Sequence, residues 1–224
     1  MTPKTARAYI AAIATLAATV LAAATYRWNP ENSRHAVLFF ALALLASAMK
    51  IRLPGLKGNI SMNFVFVLVA IALFGFAEAV LIGFGGALVQ SLWKTQGRPK
   101  PVQVLFNVSC LTVCAAAAFW GSRLALAALG SHSIAALMSV AASIYLVLNT
   151  GLVSLVISLS EDHSLIQVWS QCYQLTLPYF LVGAAVAGLA AATSGGMNLD
   201  VALLVVATMY FVYLYYRKGM EKHA

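Results

Sequence analysis

A bundle of membrane-crossing α-helices is the fold this sequence predicts, and three observations carry that expectation. Of the 224 residues, 62% are hydrophobic and 9% charged, where ordinary soluble domains carry about a quarter charged residues. Mean hydropathy is +0.88. Several apolar runs approach or exceed the roughly 20 residues that cross about 30 Å of hydrocarbon. Fourteen Lys and Arg with six Asp and Glu cannot cover a water-facing surface of this size, which excludes a soluble globular enzyme.

Eight candidate spans follow in order. The first, 9–26, comes after Lys4 and Arg7 and imitates a secretory signal, with an Ala-rich core and small residues at Ala22 to Ala24. The segments after it are equally hydrophobic, so it reads as a first transmembrane helix. The others cover 36–49, 63–76, 77–93, 102–129, 134–159, 173–193 and 201–216, bounded by charges, Pro and Gly. The whole chain is then one integral membrane domain, 1–224.

The third and fourth spans meet at Phe74-Gly75-Phe76-Ala77-Glu78 without a polar loop. A single helix across both would rise about 46 Å at 1.5 Å per residue, more than tilt absorbs. Charge gives a second argument. With eight spans and a cytoplasmic N-terminus, 11 basic residues fall inside and 3 outside, namely Arg27, Arg34 and Arg123. Fusing the pair leaves 6 inside and 8 outside, against the positive-inside bias. Eight spans with both termini in the cytoplasm is the expected topology. The 160–170 loop is discordant, because it carries Glu161 and Asp162 on the cytoplasmic side.

Two connections are ambiguous. Residues 165–169, Leu-Ile-Gln-Val-Trp, read equally as a short interfacial helix or as the start of the seventh helix. Residues 51–60, with Leu53-Pro54-Gly55, read as an extended cytoplasmic connection. Pro178 falls inside the seventh span and predicts a kink.

The net charge of +8 does not indicate nucleic acid, because the basic residues sit in short loops where they orient helices. Polar groups inside hydrocarbon are costly and are the default places to seek a site. Asn63 opens the third span, Gln90 closes the fourth, and Asn107 lies one to two turns into the fifth, with Gln103 one turn before it on the same face. These residues share the cytoplasmic side and could converge. Asn149, in Leu148-Asn149-Thr150-Gly151, lies deeper in the sixth span, with Gly151 admitting a neighbouring backbone. One reading is a polar pocket for a small ligand or a lipid headgroup. The other is interhelical hydrogen bonding of about 0.6 kcal/mol per contact. Glu78 is the one acid within a span; it reads as a cation or proton site, or as a negative charge at a helix N-terminus. Asp200 reads as a cap of the last helix.

Cys110 and Cys114 share a helix face, but without a nearby His or acid they make a poor metal site, so no metal and no cofactor are expected. The run Gly83 to Ala87 and the tract Ala115 to Ala118 suit close helix packing. His35, His132, His163 and His223 fall in expected loops or the tail. No phosphate-cradling loop, nucleophile elbow or zinc motif is present, so no enzyme activity is expected. The sequence carries no repeat that would mark an inverted-repeat transporter.

Five short pieces, Leu53-Pro54-Gly55, Ile60-Ser61-Met62-Asn63-Phe64-Val65-Phe66, Val104-Leu105-Phe106-Asn107-Val108, Leu148 to Val153 and Leu177-Pro178-Tyr179, occur in this order. Together they resemble the N-terminal membrane regions of bacterial cyclic-di-GMP signalling proteins, which precede diguanylate cyclase or HD-GYP phosphodiesterase domains. The resemblance implies a multi-pass sensor of the bacterial inner membrane whose output lies in the cytoplasm. Eight residues, Arg217 to Ala224, follow the last span, so a stand-alone module or a split remnant acting through a partner is expected. The first reading is thus a sensory or ligand-binding module that contacts membrane lipids and a cytoplasmic or membrane signalling partner. A small transporter, or the substrate-binding subunit of one, is the second. The third is a non-catalytic scaffold anchored by Tyr210, Tyr213, Tyr215 and Tyr216. A homodimer through the last helix has no motif to carry it.

Overall fold

The computed structural model describes residues 4–28, 33–52, 59–93, 99–161, 163–193 and 199–221. Among them lie eight helices: Lys4–Tyr26 (α1), Ser33–Ser47 (α2), Asn63–Leu73 (α3), Phe76–Leu92 (α4), Pro101–Ala128 (α5), Ile134–Glu161 (α6), Leu165–Thr193 (α7) and Leu199–Glu221 (α8). Four of these, α1, α5, α6 and α7, are long and apolar enough to cross a membrane. The 11 residues of α3 rise only about 16 Å, roughly half the hydrocarbon thickness.

The shortest helix is the centre of the molecule. Asn63 to Ile71 are all buried, and α3 packs against α2, α4, α5, α6 and α7. Its sequence, Asn-Phe-Val-Phe-Val-Leu-Val-Ala-Ile, is apolar on every face after the first residue, the pattern of a helix enclosed by protein. Because neighbouring helices surround it, a break in helical backbone at its end is tolerated.

Phe74 and Gly75 break the helix between α3 and α4, so the fused helix does not form. The two run antiparallel, with Asn63 against Gly86 and Val67 against Gly83. Glu78 closes the turn by accepting a hydrogen bond from the Gly75 amide at 3.0 Å, a carboxylate satisfying an orphan donor at the positive end of α4. At the same end Arg123 of α5 donates to the Ile71 carbonyl at 2.8 Å and stacks on the Phe119 ring at 3.6 Å. One guanidinium thereby satisfies a carbonyl of the last turn of α3. Arg123→Leu is expected to cost about 1–2 kcal/mol, read as a lower midpoint in a detergent-denaturation titration. Arg123→Lys should recover only part of this, because an ammonium lacks the planar face that stacks.

Two expectations change and one ambiguity closes. The 51–60 connection is not simply extended: Lys50–Arg52 (β1) pairs antiparallel with Asn59–Ser61 (β2), with Lys50 opposite Ser61, so the all-helical expectation meets one exception. Residues 53–58, including Leu53-Pro54-Gly55, lie outside the described residues. Leu165 to Trp169 are the first turns of α7, which begins eight residues before the expected span and continues through Pro178. His35 falls within α2 rather than in a loop. The Asp200 side chain lies outside the described residues.

Small residues set the helix spacing, as expected of the Gly83 to Ala87 run. A Cβ at Gly86 would overlap the Asn63 amide, and one at Gly183 of α7 would stand 3.0 Å from Val65 and 3.1 Å from Phe64. Gly151 departs from its expectation, since nothing stands within 4 Å of the position its Cβ would take. Around α3, Phe64 meets Phe180 at 4.1 Å, Tyr145 at 5.1 Å and Tyr179 at 6.1 Å between ring centroids. The last helix, α8, packs against α7, α2 and β1.

Candidate functional site

Helix direction alternates so that α1, α3, α5 and α7 begin, and α4 and α6 end, at one pole of the bundle. A cavity of about 790 Å³ opens there, within the roughly 300–1,000 Å³ of small-molecule sites. Asn63, Gln90, Asn107 and Asn149 all line it, one each from α3, α4, α5 and α6, and Gln103 joins them. Glu78 does not: it stands 12 residues from Gln90 along α4, about 18 Å away.

Asn63 is 2% exposed. Its Nδ2 donates to the Ile82 carbonyl at 3.3 Å, while its Oδ1 has no hydrogen-bond partner among the described residues. A buried acceptor left open costs about 1–3 kcal/mol unless something supplies a donor. Asn107 Nδ2 donates to Ser91 Oγ at 2.7 Å, tying α5 to α4. The Cys110 thiol makes a long contact of 3.9 Å to Asn149 Oδ1. The asparagines therefore both hold helices together and face a common space.

Gln90 leads from the cavity to the strand pair. Its Oε1 accepts a hydrogen bond from Ser61 Oγ at 2.9 Å, and the Ser61 carbonyl accepts one from the Tyr179 hydroxyl at 2.8 Å. Ser61 is thus at once cavity wall, strand residue and α7 contact. Opposite it, Lys50 donates to the Trp93 carbonyl at the C-terminal end of α4, where positive charge meets the negative helix pole. Partial burial holds the Lys50 ammonium below the usual lysine range.

Ser61, Ser91, Tyr145, Thr150, Thr176 and Tyr179 add to the polar lining, and sequence reasoning did not single them out as site residues. One signal was available for Tyr179: a tyrosine deep in an apolar span needs a partner for its hydroxyl. Apolar walls come from Phe64, Phe106, Leu111, Val153 and Phe180, and the charged residues at the cavity, Arg7, Lys100 and Glu161, are all exposed. Cys110, Cys114 and Cys172 are free and buried.

Residues 11–190, about four fifths of the chain, match the MASE9 family. The chain belongs to the MASE9 family. MASE domains are membrane-associated sensory domains, and with four membrane-length apolar helices this chain is a membrane protein. The MASE9 match takes in all five cavity amides and the α3–α4 hairpin, and ends within α7. No curated protein and no solved structure matches the chain.

Proposed function

We propose that this MASE9 chain is a ligand-binding sensory module of the bacterial inner membrane, its eight helices threaded with both termini in the cytoplasm and the short α3 reaching only part of the way across. The observation that carries the reading is the convergence of Asn63, Gln90, Asn107 and Asn149 from four helices on one cavity. Packing contacts alone need no shared empty space. The family membership supports the sensory role, and the five matching pieces support kinship with input regions of cyclic-di-GMP signalling proteins. The basic residues Arg7 and Lys100 at the cavity pole support its cytoplasmic placement. Catalysis is not part of the proposal. Output belongs to a signalling partner or to a domain joined to the module.

A route for the signal follows from connectivity. A ligand that competes for Gln90 or displaces the Ser61 side chain moves β2, β2 is laddered to β1, and β1 packs against α8. The test is native mass spectrometry of the full chain released from its own membrane in mild detergent. A co-purifying small molecule is expected, with occupancy reduced about tenfold in Asn107→Leu and Asn149→Leu. Wild type without an adduct, or an adduct indifferent to both substitutions, overturns the reading. Uptake of a solute by vesicles holding this protein alone would replace it with transport.

A further inference from the structure

Resting on the ligand-binding reading, we infer that the cavity takes an uncharged aromatic molecule bearing an N–H or O–H donor, which it gives to Asn63 Oδ1. Three observations combine. The interior polar groups are amides and hydroxyls, Asn63, Asn107, Asn149, Ser61 and Tyr179 among them, with the Cys172 thiol. The carboxylate, guanidinium and ammonium groups at the cavity, on Glu161, Arg7 and Lys100, belong to exposed residues. An ion drawn past them would shed its hydration with no opposite charge to replace it, which is prohibitive in a low-dielectric interior. The cavity therefore selects against charge at depth.

The second observation is Asn63. Its amide is held in one orientation, because Nδ2 engages the Ile82 carbonyl and the face of Gly86 lies against the group. The opposite orientation would turn an oxygen toward that carbonyl. Oδ1 is thus a fixed acceptor on a residue that lines the cavity, enclosed and unpartnered among the described residues. A ligand that lacks a donor leaves it open, and one that brings a donor removes the penalty. This is how a site built for a hydrogen bond discriminates against an analogue without it.

The third is the wall. Phe64, Phe180, Tyr145 and Tyr179 form a contiguous cluster beside Asn63, with Phe64 and Phe180 at 4.1 Å and Tyr145 and Phe180 at 6.0 Å. These rings are 1–4% exposed, so another ring joins the cluster along the edges that reach the cavity, meeting it edge to face. Phe106 lines the same cavity and pairs with Tyr9 at 6.0 Å. An amphiphile with a charged head and a flexible chain would leave both the rings and Oδ1 poorly used.

Three probes that share one ring system separate the terms: 1-aminoanthracene, uncharged at pH 8 with an N–H donor; 1-methylanthracene, without a donor; and anthracene-1-carboxylate, an anion. Each is titrated into the full chain in lipid nanodiscs and one-to-one adducts are counted by native mass spectrometry. The amine should bind roughly tenfold more tightly than either other compound. Asn63→Leu should bring the amine down to the level of the methyl compound. Val153→Trp, which adds an indole to the α6 wall of the cavity, should weaken all specific adducts and serves if Asn63→Leu does not fold. Binding of the carboxylate as tight as the amine overturns the exclusion of charge. Equal binding of amine and methyl compound overturns the role of Oδ1. In both cases the ligand-binding reading survives; no binding of any probe overturns the aromatic class alone, because the ligand-binding reading stands or falls on the molecule that co-purifies with the chain.

Discussion

Gly86→Leu is expected to destabilise the protein by at least about 3 kcal/mol, the upper part of the range for overpacking a tight interior. Position 86 has no room even for a Cβ, which would overlap Cγ, Nδ2 and Oδ1 of Asn63. Asn63 is 2% exposed and opens a helix buried from Asn63 to Ile71, so its amide can yield only toward the cavity. Relief comes from that swing or from parting α3 and α4, and either breaks the bond from Asn63 to Ile82. Gly86→Ala carries the same conflict with less bulk and should cost about 2 kcal/mol. The pair Gly86→Ala with Asn63→Ala should recover about 1 kcal/mol relative to the sum of the single changes, as a double-mutant cycle reports for residues in contact. The unfolded fraction against denaturing detergent measures all four species. Additive single changes would mean that the two residues do not meet.

Phe64→Ala should cost about 3 kcal/mol, the low end for a buried phenylalanine. Between helices in a membrane the hydrophobic driving force is weak, and what is lost is dispersion contact and packing. That loss is large because the ring is 4% exposed and lies against Tyr145, Tyr179 and Phe180. Phe64→Leu keeps most of the volume and should cost about 1 kcal/mol. The same titration applies, and a Phe64→Ala cost below about 1 kcal/mol would show that α7 does not lean on α3 through this ring.

Much of the site was legible from one principle. Asn63, Gln90, Asn107 and Asn149 stood out as polar groups in apolar runs, and all four line the cavity. Glu78 stood out by the same rule yet lies at the other end of α4 as the cap of a turn. Sequence spacing says how deep a residue sits in its own helix, but not which helix faces it. Ser61 and Tyr179 were silent because their importance is pairwise, created when β2 and α7 meet 118 residues apart in sequence. Gly151 was read as a close-approach glycine and opens on empty space, whereas Gly86 is filled by a side chain from another helix.

By itself the sequence determined the membrane class, the helical segments, the break at Phe74–Gly75 and the pole at which the amides gather. These are properties of single segments: hydropathy, turn residues and charge at helix ends act locally and sum along the chain. Only the tertiary structure decided that α3 is the enclosed centre, that Lys50–Arg52 and Asn59–Ser61 pair, that α7 starts at Leu165, and that four amides share one space. In a chain that is apolar on nearly every helix face, hydropathy cannot say which face turns toward protein and which toward lipid. That choice falls to shape, where a glycine meets an asparagine and rings meet rings.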